Sequence, residues 1–203
     1  MKKPELLLFD LGGVLIEVDT AALHEIGGKH KTDVELWETW LTCAAVQQYE
    51  SGKITDDEFA AGVLTAFGSA MPHSEFLKSF AAWPLGFYAG ATDLLQSLRA
   101  NFRLAYLSNS NPLHYPRFQN EWNLNSYFDY HFASYKMGLV KPHAEIFQAV
   151  LSAVPHAPGE IFFVDDNRLN VEMARSLGMR AEIVRGLPEL QSVLSAAGLL
   201  PLV

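Results

Sequence analysis

The segment LLLFDLGGV, residues 6–14, places an acidic residue at the end of an apolar run and directly before two glycines. A short apolar run of this kind predicts a buried strand, and Asp10 at its end predicts a reactive group at the edge of a sheet. The segment IFFVDDN, residues 161–167, repeats the arrangement with Asp165 and Asp166. Together the two segments predict a metal site that is built from distant parts of the chain.

The composition is that of an ordinary globular protein and excludes several classes. A length of 203 residues predicts one domain, or one domain with a small insertion. The 15 basic and 23 acidic residues give a net charge of −8, which argues against a nucleic-acid partner. No apolar run has the length of a membrane span or a signal peptide, so we expect a cytoplasmic enzyme without a membrane partner. The single cysteine, Cys43, excludes an internal disulfide and is expected in the core.

Strand-like and helical patterns alternate along most of the chain. Apolar runs predict further strands at residues 104–107, 131–133 and 181–184. Helical spacing of apolar residues predicts helices at 92–100, 144–154, 169–177 and 188–197. Alternation of this kind predicts an α/β fold, with a parallel sheet covered by helices on both faces.

Residues 17–83 have a different pattern. Their periodicity is helical and no strand is evident, so they predict an all-helical insertion after the first strand. The core would then consist of residues 1–16 and 84–203. Thr55 and Glu58 form a capping-box pattern at the start of one helix. Trp37, Trp40 and Phe59 are expected in the core of the insertion.

Four short segments carry chemical groups in similar settings. Asp10 ends the first strand, Ser108-Asn109 follows the strand at 104–107, Lys141-Pro142 precedes a helix, and Asp165-Asp166 ends another strand. Each segment alone has an ordinary interpretation as a turn, a helix cap or a solvated charge. Because three of the four lie at the ends of apolar strands, they predict one site together.

The order of these segments resembles the four motifs of the haloacid dehalogenase-like hydrolase superfamily, in the type with a helical (C1-type) cap. The matching segments are FDLGGV at 9–14, LSN at 107–109, VKP at 140–142 and FVDDN at 163–167. The chain is similar to sugar-phosphate phosphatases and to the phosphatase domain of soluble epoxide hydrolases, where a segment like YESGKIT, residues 49–55, lies in the cap. The resemblance implies a Rossmann-like sheet.

The resemblance also implies roles for individual residues. Asp10 would attack phosphorus and form an aspartyl-phosphate. Mg²⁺ would be held by Asp10, the Gly12 carbonyl and Asp166, although the motif leaves open which of Asp165 and Asp166 binds it directly.

The remaining motif residues would support the nucleophile and the metal. Ser108 would donate a hydrogen bond to the phosphate, and Lys141 would hold both phosphate and nucleophile by its charge. Asn109 would orient Asp10 or the substrate. Asp165 and Asn170 would fix the geometry of the metal ligands. His114 follows the second motif and is a candidate for contact with the substrate.

Gly12 departs from the family pattern, which has a second aspartate two residues after the nucleophile. That aspartate protonates the leaving oxygen and later activates water, and it is absent from some sugar-phosphate phosphatases of the family. Which group replaces it here is open; Asp19 is a candidate but is more simply interpreted as an exposed linker acid.

The sequence is compatible with three functions. The favoured one is a Mg²⁺-dependent phosphomonoester hydrolase acting on a small phosphorylated metabolite, with sugar phosphates as the favoured class. A 2-haloacid dehalogenase would use Asp10 without metal; Gly12 permits this, but paired carboxylates at residues 165 and 166 are costly without a cation. A non-catalytic relative that binds a phosphorylated ligand or a protein is supported by Gly12 alone.

Overall fold

The computed structural model describes residues 3–19, 21–27 and 31–200. The described strands are β1 (Leu6–Phe9), β2 (Ile16–Val18), β3 (Pro84–Phe87), β4 (Arg103–Ser108), β5 (Tyr130–Ala133), β6 (Ile161–Asp165) and β7 (Arg180–Ile183). Five of them form a parallel sheet in the order β5-β4-β1-β6-β7. The predicted strands are therefore confirmed, with ends that differ by one residue at most.

The first strand lies at the centre of the sheet. Leu8 is in register with Ala105 of β4 on one side and with Phe163 of β6 on the other. Alternate residues point to opposite faces, so Leu7 and Phe9 join one apolar cluster while Leu6 and Leu8 join another. Burial on both faces explains why the strands are continuous apolar runs rather than alternating ones.

Helices cover both faces of this sheet. The described helices are α1 (Ala22–Gly27), α2 (Asp33–Thr42), α3 (Ala44–Glu50), α4 (Asp56–Phe67), α5 (His73–Ala82), α6 (Ala91–Arg99), α7 (His114–Asn120), α8 (Ser134–Met137), α9 (Ala144–Ala153), α10 (Arg168–Ser176) and α11 (Gly186–Ala196), with 3-10 turns at Leu124–Tyr127 and Pro158–Glu160. Helices α6, α7 and α11 pack on the face of Phe9, and α9 and α10 pack on the face of Leu8. The predicted α/β fold with both faces covered is confirmed.

Helices α1 to α5, here called the helical insertion, have an apolar cluster of their own. Trp40, Phe59 and Phe80 are buried in it, and Trp37 packs against it. The predicted capping box is present at the start of α4: the Thr55 hydroxyl accepts from the Glu58 amide, and the Glu58 carboxylate accepts from the Thr55 amide. The insertion is thus a packed unit after the first strand, as the sequence predicts.

A two-stranded antiparallel ribbon joins the insertion to the core. In it Ile16 of β2 pairs with Phe87 of β3. These two strands have no clear signal in the sequence and were not predicted, because they are three and four residues long and β3 contains a proline and a glycine. Strand β2 crosses the expected domain boundary at residues 16/17, and β3 begins at the other expected boundary, at 83/84.

Cys43 is a buried free thiol, as predicted. Across residues 3–19, 21–27 and 31–200, no helix is both long enough and apolar enough to cross a bilayer.

Candidate active site

The central three strands bring the predicted site residues to one edge of the sheet. Strands β4, β1 and β6 are adjacent and parallel, so Ser108, Asp10 and Asp165 lie together at their carboxyl ends. The Asp10 amide donates to the Val164 carbonyl at 2.8 Å, which continues the pairing of β1 with β6 up to the acidic residue. Segments that are distant in the sequence therefore form one polar cluster.

Lys141 is the centre of this cluster. Its ammonium lies 2.9 Å from Asp10 Oδ1 and 2.6 Å from Asp165 Oδ2, and it donates to the Leu107 carbonyl at 2.9 Å. These three partners use the three donors of an ammonium group. Burial opposes the charged form, but attraction to Asp10 and Asp165 outweighs burial and raises the Lys141 pKa above its ordinary value. Lys141 is therefore a fixed cation beside Asp10.

Asp165 is completely buried and fully hydrogen-bonded. Besides Lys141 on Oδ2, it accepts on Oδ1 from the Asn167 amide at 2.8 Å and from Asn170 Nδ2 at 2.9 Å. Asn170 belongs to the first turn of α10, which starts directly after this loop. Both oxygens of Asp165 are engaged by protein groups, so its side chain orients Lys141 and the loop.

The acidic residues of the cluster carry more negative charge than Lys141 balances. Burial, opposed by Lys141 and reinforced by Asp165 and Asp166, raises the pKa of Asp10 to about 8. Burial and the charge of Asp165 raise the pKa of Asp166 to about 6. One carboxylate oxygen from each of the three acids lies within 4.8 Å of the others. Such a set of hard oxygen donors fits a divalent cation such as Mg²⁺, which would offset the repulsion.

The glycine pair allows the loop after β1 to pass beneath Asp166. Gly13 has a φ of +72°, and a Cβ at this position would lie 2.8 Å from Asp166 Oδ2. Gly12 has no such constraint, because a Cβ there would meet only Val18 Cγ2 at 3.4 Å. A side chain at position 13 would therefore strain the backbone and displace Asp166. Position 12 has room for a side chain.

Ser108 and Asn109 follow β4 at the same edge. Ser108 is buried, and its hydroxyl donates to the Asn109 carbonyl at 3.3 Å. The Asn109 amide accepts from the Lys141 backbone N–H at 2.9 Å and donates to the Lys141 carbonyl at 3.2 Å. Asn109 therefore holds the backbone of the Lys141 loop rather than the carboxylate of Asp10.

His114 lies in the contact between the helical insertion and α7. Its Nε2 donates to the Phe80 carbonyl at 2.6 Å, and its Nδ1 accepts from Asn111 Nδ2 at 3.1 Å. Burial lowers the pKa of His114 to about 4, which agrees with a neutral ring that donates on one side and accepts on the other. The structure does not bring His114 into the polar cluster.

Asp19, the candidate for proton transfer, and Glu50, which was not a candidate, differ in their surroundings. Asp19 accepts from the Ala21 amide at 3.0 Å and turns the chain towards α1. Glu50 is the last residue of α3, and burial, opposed by the charge of Lys141, raises its pKa to about 7. Sequence reasoning recognised the segment around Glu50 but did not single out this residue. Its carboxylate could have been found only from the likeness of residues 49–55 to a cap segment.

The fold and the site together define a class of protein. A lysine between two aspartates at the carboxyl ends of parallel strands, with a helical insertion after the first strand, is an arrangement for chemistry on an anionic substrate. A profile of haloacid dehalogenase-like hydrolases matches residues 4–178. The chain belongs to this family, as its motifs predict.

Curated relatives of similar length are named as phosphatases. The chain is 30% identical to a D-ribitol-5-phosphate phosphatase of Bacteroides thetaiotaomicron over 186 residues, which are 85% of this chain and 87% of the relative. It is also 30% identical to the sesquiterpene phosphatase astK of Aspergillus oryzae, with 85% of each chain covered. The protein is therefore a hydrolase whose relatives carry phosphatase names.

A solved structure agrees in fold. It is an enzyme of the haloacid dehalogenase-like (HAD) family from Bacteroides thetaiotaomicron, in complex with magnesium and inorganic phosphate. The two structures superpose with a TM-score of 0.71 at 28% sequence identity, and the match covers 90% of this chain and 94% of that one. An L-2-haloacid dehalogenase from Xanthobacter autotrophicus has a TM-score of 0.65 at 17% identity over 98% of this chain and 85% of its own, which is a likeness of fold alone.

Proposed function

We propose that the protein is a Mg²⁺-dependent phosphomonoester hydrolase that acts on a small phosphorylated metabolite. The observation that carries this proposal is the cluster of three acids around one lysine. Asp10 and Asp165 share one buried ammonium and Asp166 lies close to both acids, so a divalent cation would be needed to keep the nucleophile ionised near neutral pH. The same cation and Lys141 would attract a phosphate dianion.

Asp10 and Asp166, with the Gly12 carbonyl, are the ligands that we propose for the ion. The hydrogen bonds of Asp165 support this choice, because Lys141, Asn167 and Asn170 engage both of its oxygens. When bound, Mg²⁺ would neutralise charge on the nucleophile and on the transferring phosphoryl group.

Asp10 would act as the nucleophile and would form an aspartyl-phosphate that water then hydrolyses. Lys141 would favour the ionised form of Asp10 and would bind a phosphate oxygen from the same side. Ser108, buried beside Asp10 at the end of the neighbouring strand, would donate to a second phosphate oxygen. Asn109 and Asn170 would keep Lys141 and Asp165 in position. His114 stays a candidate only for indirect contact, through the packing of α7 on the insertion.

Residues 17–83, which contain the helical insertion, would be the cap that closes the site and selects the leaving group. Within the class of phosphomonoesters, phosphorylated sugars and sugar alcohols are the substrates that we propose. The relative named as a D-ribitol-5-phosphate phosphatase supports this choice at 30% identity.

Two other functions remain as alternatives for the test. A 2-haloacid dehalogenase would need no cation, which the crowding of Asp10, Asp165 and Asp166 argues against. A binding protein without turnover would follow only from the missing side chain at Gly12.

The experiment is a screen of phosphorylated sugars, phosphorylated sugar alcohols and p-nitrophenyl phosphate, with Mg²⁺ or with a chelator. We expect Mg²⁺-dependent release of phosphate that Asp10→Asn abolishes. Chloride release from 2-chloropropionate without metal would favour the dehalogenase. Phosphate binding without turnover would favour the binding protein.

A further inference from the structure

A second group of metal-binding residue types lies at the edge of the sheet opposite to Asp10. Glu5 directly precedes β1, and Glu160 directly precedes β6. Because these strands are adjacent and parallel, the two acids lie side by side at the amino ends of the strands, and the Glu5 amide donates to the Glu160 carbonyl at 2.8 Å. Backbone pairing therefore fixes the relative position of two acids that are distant in the sequence.

His156 completes this group, here called the His156 cluster (Glu5, His156 and Glu160). Its Nδ1 lies 3.8 Å from Glu5 Oε2. One ring nitrogen of His156 and one carboxylate oxygen of each acid all lie within 4.8 Å of one another. The Glu160 carboxylate also accepts from the Ala157 amide at 3.0 Å, which fixes it against the turn next to His156. Three potential metal ligands are therefore held together by the backbone around them.

The imidazole of His156 is buried without a hydrogen bond. Its side chain is 10% exposed. Neither ring nitrogen has a hydrogen-bond partner within the described ranges 3–19, 21–27 and 31–200, and both are shielded from solvent. Buried polar atoms are nearly always partnered, so a ring nitrogen that faces two carboxylates indicates a partner that is still to be bound. A divalent cation is such a partner, because it accepts the lone pair of the nitrogen and balances the charge of both acids.

An open cavity of about 690 Å³ lies beside the cluster and gives an ion a way in. Its lining includes two members of the cluster and three basic residues: Glu5, His156, Lys3, Arg99 and Arg103. Arg103 pairs with Asp129 at 3.0 Å, and Arg99 donates to the Ser126 carbonyl at 2.6 Å. The two guanidinium groups that line the cavity are therefore held by residues outside the cluster.

We propose that Glu5, His156 and Glu160 form a binding site for a divalent transition-metal ion such as Zn²⁺. An imidazole nitrogen favours Zn²⁺ over Mg²⁺, and three protein ligands leave a fourth position for water. Metal–ligand bonds are about 2 Å long, so the three ligand atoms must move closer together when the ion binds. The Glu5 side chain is 50% exposed, which gives it the freedom to do so.

This site is separate from the proposed magnesium site, whose ligands are all oxygen atoms. It lies at the amino ends of β1 and β6, whereas Asp10 and Asp166 follow their carboxyl ends. An ion there would take no part in phosphate chemistry and would fasten the segment that carries His156 to the starts of the two strands. We therefore expect the ion to stabilise the fold, because it binds the folded state more tightly than the unfolded chain.

A first experiment detects the ion at the histidine itself. The protein is labelled with ¹⁵N in its histidine rings, kept in excess Mg²⁺ and titrated with Zn²⁺, while NMR follows the ring nitrogens. We expect the signals of His156, assigned by their loss in His156→Gln, to shift as the ion binds. Zn²⁺ that enters the proposed magnesium site would not shift them, because that site contains no histidine. Signals of His156 that Zn²⁺ leaves unchanged would overturn the proposal, whatever the other histidines do.

A second experiment measures the contribution of each acid from the same titration. We expect Glu5→Gln and Glu160→Gln each to weaken Zn²⁺ binding at His156 by at least about tenfold. Glutamine keeps an oxygen that can accept from the Ala157 amide, so the turn at Glu160 should be retained. Glu145→Gln, at an exposed acid of α9, is the matched control and should bind Zn²⁺ as the wild type does.

Wild-type affinity in both glutamine variants would overturn the three-ligand site, since His156 alone would then bind the ion. Zn²⁺ added to excess Mg²⁺ should also raise the urea midpoint of the wild type more than that of His156→Gln. An equal rise in the two proteins would overturn the stabilising role. None of these measurements uses turnover, so a wild type that releases no phosphate would remove the proposed function and leave this test intact.

Discussion

The ammonium of Lys141 lies 2.6 Å from Asp165 and 2.9 Å from Asp10, so a single buried cation is shared by two buried carboxylates. Asp165 is saturated by hydrogen bonds on its other oxygen, whereas Asp10 lies at the end of β1 and faces the site. Lys141 therefore has two effects: it stabilises the buried acid that orients the loop, and it favours the ionised form of the residue that we propose as nucleophile.

Replacement of this lysine should harm both stability and activity. Lys141→Met leaves Asp10 and Asp165 without their shared cation, and breaking a buried pair in this way costs about 3–5 kcal/mol. Urea unfolding at pH 7 measures the loss. Lys78→Met, at an exposed lysine of α5, should change the free energy of unfolding very little. Equal free energies of unfolding for the two variants would contradict the claim that Lys141 stabilises the fold by pairing with Asp10 and Asp165.

Binding of Mg²⁺ should release protons near neutral pH. Without metal, Asp10 has a pKa of about 8 and Asp166 of about 6, so Asp10 is mostly protonated at pH 7. The cation needs both carboxylates ionised, so its affinity should increase as pH rises from about 6 to about 8. Calorimetric titration with Mg²⁺ in buffers of different ionisation enthalpy counts the protons. Binding without proton release at pH 7 would argue against Asp10 as a ligand.

Gly13→Ala should weaken the metal site more than it weakens the fold. The added Cβ would lie 2.8 Å from Asp166 Oδ2 on a backbone with φ of +72°, so Asp166 must move. We expect the Mg²⁺ concentration for half-maximal activity to rise by at least about tenfold, in line with changes around metal ligands. Gly68→Ala is the control, because Gly68 has a φ of +66° but nothing within 4 Å of the added atom. A Mg²⁺ requirement that rises no more in Gly13→Ala than in Gly68→Ala would contradict this prediction.

Gly12→Asp should restore the acid that the family pattern has at this position. The Cβ would meet only Val18 Cγ2 at 3.4 Å, so the substitution should fold normally. General acid–base catalysis is worth about 10²–10⁴-fold, and we expect kcat for an unactivated phosphomonoester to rise by at least tenfold. Gly12→Asn has nearly the same size without the acid and should give no gain. If Gly12→Asp is no faster than the wild type, the missing acid does not limit turnover.

His114 should make the stability of the protein depend on pH in acid solution. Its pKa is about 4 in the folded state and about 6.5 in an unfolded chain, so the unfolded state binds more protons between these values. Stability is therefore complete above pH 6.5 and is lost as pH falls towards 4, by up to about 3 kcal/mol. Urea unfolding between pH 7 and 4.5 measures this slope, which should be smaller in His114→Gln. An unchanged slope in that variant would assign the pH dependence to other groups.

The strands and the acidic cluster could be predicted because their signals are local. Each buried strand is a continuous apolar run, and each acidic residue follows such a run directly. The ribbon β2–β3 was missed for the opposite reason. It is held by pairing between residues about seventy positions apart, and neither strand has enough alternating residues to produce a pattern.

The division between Asp165 and Asp166 also needed the structure. The two residues are neighbours with the same chemistry, so the sequence cannot tell them apart. The direction of each side chain at the end of β6 decides that Asp165 meets Lys141 and Asn170, while Asp166 lies above Gly13.

The sequence by itself determined the α/β fold, the helical insertion and the edge of the sheet where the acids meet, because burial and backbone pairing leave a periodic record in the order of residues. The tertiary structure alone decided which carboxylates Lys141 holds and why Gly13 must lie beneath Asp166. Those relationships depend on distances of 2.6–2.9 Å between atoms of remote segments, and no local pattern of residue types encodes such distances.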